Sequence, residues 1–179
     1  MRAWMISVGL VAAGCGGSPA KIADGSAPVE AVRAFYTAYQ QAPFTGLPTA
    51  EEWGRVSPHF SASLSGLITT AQGLQARCQA DHPNDKPPWI EGDMFSSNFE
   101  GWSRFSVLGV RDSALGTREV EVEFEYVEGG SAAKWSDRVW VVEERGRWVI
   151  DQVHYERVAG PGNGFGAGLR EALAPTGGC

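Results

Sequence analysis

The strictest pattern in this chain lies at residues 119–126, which read Glu-Val-Glu-Val-Glu-Phe-Glu-Tyr. Successive side chains of a strand point to opposite faces, so this alternation predicts a β-strand with one apolar, buried face and one acidic face. The four glutamates are interpreted as a solvated row, in preference to a calcium site or an acid–base pair. This segment therefore predicts a sheet with one face exposed to water.

Three further segments around this strand also have strand character. They lie at residues 103–110, 135–143 and 148–155, and turn signals stand at Glu128–Ser131 and at Arg145–Arg147. The regular spacing of strands and turns predicts an antiparallel meander of about four strands.

The first half of the chain has helical periodicity instead. One helix is predicted to begin near Pro28, a short one after Thr49, and a long one after Ser57 and Pro58. The apolar face of the first helix is Val29, Val32, Phe35, Tyr36 and Tyr39. That of the long helix is Phe60, Leu64, Leu67, Ile68, Ala71, Leu74 and Cys78. Helices followed by strands, with a short last helix at 169–173, predict an α+β fold with helices packed on one face of a curved sheet.

The first residues have the features of a secretory signal peptide. Arg2 gives a positive start, and residues 4–13 form an apolar core that is too short to cross a bilayer as a helix. The segment Ala12-Ala13-Gly14 before Cys15 resembles the lipobox of bacterial lipoproteins, whose cysteine becomes the first mature residue and carries acyl chains. The resemblance implies that residues 1–14 are removed and that Cys15 anchors the chain to a membrane. An ordinary signal peptide with an incidental cysteine is the alternative.

The lipobox resemblance also implies a location and a domain plan. Gly16 stands where an aspartate would indicate inner-membrane retention, so the expected site is the periplasmic face of the bacterial cell envelope, with the outer membrane favoured. Residues 15–28 are small, polar and rich in Gly and Pro, which is typical of a flexible tether. Removing residues 1–14 from the 179-residue chain leaves enough for a single domain, expected at 29–179.

The two remaining cysteines are Cys78 and Cys179. In an oxidising compartment this pair predicts a disulfide, which would close a long loop; two unpaired thiols are the alternative. Cys78 and His82 also have a spacing that can hold zinc on a helix, but Pro83 ends any helix there. No metal site and no cofactor are predicted.

The net charge of −6 bears on the partners. Nucleic-acid binding requires clustered Lys and Arg, so an acidic chain argues against it. The same charge argues against an electrostatic grip on anionic lipid headgroups. The membrane is therefore expected as a partner only through the lipid on Cys15.

Several segments resemble bacterial lipoproteins that carry a YbjP/YqhG-type domain of unknown function. They are PVEAVRAFYTAYQQ at 28–41, VSPHFSASLSGL at 56–67, residues 93–95 and WVIDQVHY at 148–155. The resemblance covers about residues 28–173 and implies an NTF2-like, cystatin-like cone in which a bent sheet wraps around helices. It implies no activity, because that family has none assigned.

Two residues of the last predicted strand are candidates for chemistry. Asp151 and His154 are three apart, so they are expected on opposite faces and unable to pair as an acid–base unit. Asp151 is interpreted as a structural hydrogen-bond acceptor at the sheet edge or a pocket rim. Together with Asp93, these residues are the only groups that the sequence offers as a pocket acid or base.

Aromatic residues cluster in the acidic loop that precedes the first strand. Phe95, Phe99 and Trp102 are predicted to be core residues. Trp89 follows two prolines and is the better candidate for an exposed recognition residue. The possible pocket or interface residues are thus Trp89, Asp93, Trp102, Asp151 and His154.

Three functions stay open on this basis. The first is a non-enzymatic binding module on the envelope that recognises a protein or a small molecule. The second is a small NTF2-like enzyme with a pocket acid or base. The third is an immunity or inhibitor lipoprotein whose acidic charge would steer a basic periplasmic toxin or hydrolase.

Overall fold

The computed structural model describes residues 26–86, 88–89, 92–113, 116–156 and 168–174. Its helices are α1 (Ser26–Gln41), α2 (Ala50–Val56), α3 (Ala62–Asp81) and α4 (Leu169–Leu173), with a 3₁₀ turn at Ser57–His59. Its strands are β1 (Arg104–Asp112), β2 (Arg118–Glu128), β3 (Ser131–Glu144) and β4 (Arg147–His154). The described part of the chain is an α+β fold with helices and a four-stranded antiparallel open sheet.

The strands lie in chain order across the sheet, and each pairs antiparallel with the next. The predicted meander is therefore confirmed. On β2, Val120, Val122 and Phe124 are buried, whereas Glu121 between them is exposed. The two faces of this strand thus differ as the alternation requires.

The predicted hairpin turns are confirmed as well. Gly129 and Gly130 join β2 to β3 with φ of 56° and 83°, and Arg145 and Gly146 join β3 to β4 with φ of 52° and 75°. Positive φ at both central residues is the pattern of a type I′ turn, whose twist matches that of the flanking strands.

One glutamate of the acidic row is not solvated. Only 7% of Glu119 is exposed. Trp140 Nε1 donates to its Oε2 at 3.0 Å, and Arg111 Nε donates to its Oε1 at 2.6 Å. Burial alone would raise the pKa of Glu119, but these hydrogen bonds and the charge of Arg138 outweigh it and hold the pKa below its usual value. The prediction of a solvated row fits Glu121 and is wrong for Glu119, which long side chains of the neighbouring strands cover.

Helix α1 lies across the sheet and contacts all four strands. Its buried residues include Val32, Phe35, Tyr36 and Tyr39, which confirms the predicted apolar face except for Val29, which is only partly buried. The helix already begins at Ser26, so the last three residues assigned to the tether at 15–28 are helical.

Helix α2 begins as predicted. Thr49 Oγ1 accepts the N–H of Glu52 at 3.3 Å, and Glu52 Oε2 accepts the N–H of Thr49 at 2.7 Å. This reciprocal pair is a capping box, which satisfies two N–H groups that would otherwise lack partners.

The start predicted for the long helix is wrong. Ser57 opens only a 3₁₀ turn, and α3 begins after Ser61, whose Oγ accepts the N–H of Leu64 at 3.0 Å. The delay has a tertiary cause: Phe60 takes an extended conformation and bridges in parallel to Ile150 of β4. The edge of the sheet therefore overrides the local helix signal.

A second bridge covers the same edge of β4, where Gly168 pairs antiparallel with His154. A Cβ at residue 168 would lie 2.6 Å from the carbonyl oxygen of Val153, so glycine allows this close approach. The chain then continues into α4, which confirms the predicted short last helix. The buried residues of α4 are Leu169, Ala172 and Leu173.

The cysteine predictions fall mostly outside the described residues. Cys78 lies near the end of α3 and is buried. Its predicted partner Cys179 and the predicted lipidation residue Cys15 lie outside the described ranges, so both remain predictions. None of the helices in those ranges combines the length and the hydropathy that a bilayer crossing demands.

Candidate functional site

Tyrosine hydroxyls hold the backbone of the loop at residues 92–98. Tyr36 Oη donates to the carbonyl oxygen of Phe95 at 2.8 Å, and Tyr155 Oη donates to that of Met94 at 2.6 Å. Both rings are buried, so the hydroxyls satisfy irregular backbone that water does not reach. The loop is therefore fixed against the core.

Asp93 is the buried carboxyl of this loop. Its Oδ1 accepts the N–H of Phe95 at 2.8 Å, and its Oδ2 accepts the hydroxyl of Ser96 at 2.9 Å. Tyr39 Oη lies 3.1 Å from Oδ1 and 2.7 Å from the carbonyl oxygen of Phe44. A hydroxyl has a single hydrogen, so Tyr39 cannot donate fully to both. A protonated Asp93 that donates to Tyr39 Oη satisfies the whole arrangement.

Burial sets the ionisation of Asp93, of which 3% is exposed. Desolvation raises its pKa from 3.8 to about 6, although the N–H of Phe95 and the hydroxyl of Ser96 favour the charged form, as does Tyr39 Oη when it donates to the ionised carboxylate. The buried carboxyl of Asp137 raises the pKa of Asp93 further. Burial and the nearby Asp93 also raise the pKa of Tyr39, which therefore stays a neutral hydroxyl.

Replacing Asp93 by asparagine is expected to remove a pH-dependent loss of stability. Between pH 4 and 6 the folded chain holds a proton on Asp93 that the unfolded chain has released, so the free energy of unfolding falls as pH rises through this window. The loss amounts to about 3 kcal/mol for a shift of this size. Urea denaturation measures the free energy of unfolding of both chains. The value for Asp93→Asn relative to the native chain should rise by this amount between pH 4 and pH 7.

The control for this prediction is Asp81→Asn, which removes one exposed carboxylate at the end of α3. A difference between Asp93→Asn and the native chain that stays constant over the same pH range would contradict the assigned ionisation.

A second buried acid, Asp137, was not among the candidates predicted from the sequence. It is fully buried on β3, and its Oδ2 accepts the N–H of Ser97 at 2.7 Å while its Oδ1 accepts the N–H of Glu156 at 3.0 Å. Burial raises its pKa despite these donors. The signal was present, because period-2 alternation places Asp137 on the same face as Trp135 and Val139.

A cavity of about 320 Å³ opens beside Asp93. It lies between the end of α1, the segment at residues 43–45 and the segment at residues 100–102. We name it the Asp93 cavity. Its lining includes the aromatic residues Tyr39, Phe44 and Trp102, the carboxyls of Asp93 and Glu100, and Thr45. The structure thus joins Asp93 and Trp102, two of the residues singled out in the sequence, in one site.

The aromatic residues of the loop divide between core and surface. Phe95 is confirmed as a core residue, and Trp102 packs its ring against those of Tyr36 and Phe124 while lining the cavity. Phe99 is 45% exposed, so its assignment to the core is wrong. It lies in a turn closed by the N–H of Gly101 donating to the carbonyl oxygen of Asn98, and its half-exposed ring lies against Gly92.

Trp89 is not a free surface aromatic, contrary to its interpretation as an exposed recognition residue. Its Nε1 donates to the carbonyl oxygen of Ala172 in α4 at 2.8 Å, and its backbone N–H donates to Oε1 of Gln75 in α3 at 3.2 Å. The ring is partly buried against the core. Trp89 therefore connects α3 to α4, a contact that sequence spacing does not reveal.

Asp151 is fixed by ionic and polar contacts at the sheet edge. It is the extra residue of a β-bulge between β3 and β4. Its Oδ1 lies 2.5 Å from Ser61 Oγ and 2.5 Å from Arg170 Nη2, and its carbonyl oxygen accepts Arg170 Nε at 2.8 Å. These contacts tie α3, β4 and α4 together and explain why an acid stands here.

His154 lies elsewhere, with its ring centroid 4.1 Å from that of Trp140. Trp140 contacts Glu119 of the acidic row, so His154 belongs to the sheet face opposite the helices. Asp93, Asp151 and His154 therefore do not converge on one site. Among the side chains that the structure describes, no three His, Cys, Asp or Glu groups gather as a metal site would require.

No family model, curated protein or solved structure matches the chain.

Proposed function

We propose that this chain is a lipid-anchored protein of the bacterial envelope whose domain is a non-enzymatic binding module. The observation that carries the proposal is the Asp93 cavity. Ligand sites are typically concave and largely apolar, with a few fixed polar groups that orient the ligand. The cavity has aromatic walls, and the hydrogen bonds of its buried carboxyl fix that group in place.

The contacts of the other candidate groups favour binding over catalysis. Asp151 is held by Arg170, and His154 packs against Trp140 on the opposite face. A general acid or base needs a partner group and a reacting atom within hydrogen-bond reach. Neither residue lines the cavity.

The proposal includes the NTF2-like, cystatin-like cone and the resemblance to YbjP/YqhG-type lipoproteins. Two features support a bent sheet. Leu108 is an extra residue between paired positions of β1 and β2, and Asp151 is one between β3 and β4. Such bulges bend a strand and increase its twist. Helix α1 lies across the sheet, as a cone requires.

The proposed anchor is acylated Cys15, and the proposed covalent link is Cys78–Cys179. Trp89 supports the link, because it joins α4 to Gln75, which lies one turn before Cys78 in α3. Cys179 is the sixth residue after Leu173, the last residue of α4. A disulfide there would restrain the unfolded chain by closing a loop of about 100 residues.

The binding proposal is tested by filling the cavity. Thr45 is exposed at its rim, so Thr45→Trp places a large ring in the opening. The matched control is Thr70→Trp, on the exposed side of α3. In a thermal-shift screen of a mixed small-molecule library, we expect compounds that stabilise the native chain and Thr70→Trp but lose at least about tenfold in affinity for Thr45→Trp.

Two outcomes would contradict this proposal. One is a library with no binder for the native chain. The other is a set of binders that Thr45→Trp leaves unaffected, since their site would lie elsewhere.

A second candidate function is an enzyme that uses Asp93. Its pKa of about 6 suits a general acid or base near neutral pH, and Glu100 supplies a second carboxyl in the same cavity. Turnover of any library compound by the native chain, lost in Asp93→Asn, would favour this function over simple binding.

A further inference from the structure

The charged residues that line the Asp93 cavity are both acidic. Asp93 and Glu100 both line it, whereas no Lys, Arg or His belongs to its lining among the described residues. The rest of the lining includes three aromatic residues, Tyr39, Phe44 and Trp102, beside Gln40, Pro43, Thr45 and Gly101. Aromatic faces attract cations through their negative π-surfaces, and carboxylates attract them directly.

From this lining we infer that the Asp93 cavity binds a small organic cation, an ammonium group carried on an apolar body. The inference rests on the proposed function and names the ligand class of that site. Its chemical basis is the combination of two acidic and three aromatic residues in the lining of one cavity.

Asp93 retains hydrogen-bonding capacity for such a ligand. A carboxylate offers about four acceptor sites. Within the described residues, Oδ1 is approached by Phe95 N and Tyr39 Oη, whereas Oδ2 accepts only from Ser96 Oγ. An ammonium N–H can therefore be accepted at Oδ2 without breaking the contacts that hold the loop.

A cation also offsets an electrostatic penalty that other ligands leave in place. Ionised Asp93 is buried beside a second buried acid, Asp137, with no cationic side chain among its hydrogen-bond partners in the described chain. A positive ligand compensates this buried charge, a neutral ligand leaves it uncompensated, and an anion adds to it. The volume of about 320 Å³ lies at the lower end of the range for small-molecule sites.

The test uses three probes of similar shape: benzylamine, benzyl alcohol and benzoate, which are cationic, neutral and anionic at pH 7.5. Binding to the purified full chain is followed by the indole N–H signals of its tryptophans in NMR spectra, with Trp102→Phe identifying the signal of Trp102. We expect benzylammonium to shift the Trp102 signal and to bind at least about tenfold more tightly than benzyl alcohol, with benzoate weakest.

Two variants test whether the carboxylate of Glu100 contributes to the binding of benzylammonium. Glu100 is exposed at the cavity, so Glu100→Gln should fold normally and weaken benzylammonium several-fold while leaving benzyl alcohol unchanged. Glu128→Gln removes an exposed carboxylate at the β2–β3 hairpin and should change neither.

The inference fails if benzyl alcohol or benzoate binds as tightly as benzylammonium, or if no probe shifts Trp102. The two proposals fail separately. Binders that the Thr45→Trp variant blocks but that carry no positive charge would contradict the inference of a cationic ligand. They would still support the cavity as the binding site. Absence of any binder would overturn both.

Discussion

Replacing Phe95 by alanine is expected to destabilise the folded chain by about 4 kcal/mol. Phe95 is 1% exposed, and its ring centroid lies 5.1 Å from that of Phe35, 5.2 Å from that of Tyr39 and 5.5 Å from that of Phe60. Truncation would leave a void among these rings, which the loop cannot fill because hydrogen bonds from Tyr36 and Tyr155 fix its backbone. Urea denaturation at neutral pH measures the effect.

The matched control is Phe99→Ala, the same substitution four residues further along the same segment. Because Phe99 is 45% exposed, the expected loss is below about 1 kcal/mol. Equal effects of the two substitutions would contradict the assignment of Phe95 to the core and of Phe99 to the surface.

The sequence predicted the parts of the fold that local patterns control. Alternation at 119–126 fixes which face of β2 is buried, and the capping pair Thr49 and Glu52 fixes the start of α2. These signals depend on neighbours within a few residues, so they can be read without knowing the rest of the chain. The error at Ser57 shows the limit, because a bridge to Ile150 of β4 decides the conformation of Phe60.

The candidate site was harder to predict because distant segments build it. Asp93 is bonded by Tyr39, which precedes it by 54 residues, and the loop around it is bonded by Asp137, which follows it by 44. Composition marked Asp93 and Trp102 as candidates, but their joint position in one cavity depends on how α1 packs on the sheet. Trp89 was misread for the same reason, since its partners in α3 and α4 are far apart in sequence.

The largest expected effect concerns Cys15. In cells that incorporate labelled palmitate, the native chain should be labelled and recovered with the membranes, whereas Cys15→Ser should lose the label entirely. The physical reason is that the acyl chains would be attached to this residue, and each buried methylene contributes about 0.8 kcal/mol to membrane binding. One acyl chain binds a membrane only marginally, whereas two or three hold a domain there almost permanently.

The control is Ser18→Ala, a small substitution three residues after Cys15 that leaves all three cysteines in place and should keep the label. Mass spectrometry of the chain recovered from membranes provides the second readout: we expect residues 1–14 to be absent and two or three acyl chains on Cys15. A native chain that carries no label and begins at a residue other than Cys15 would indicate an ordinary signal peptide. The Asp93 cavity would then belong to a secreted domain that no lipid holds at the membrane.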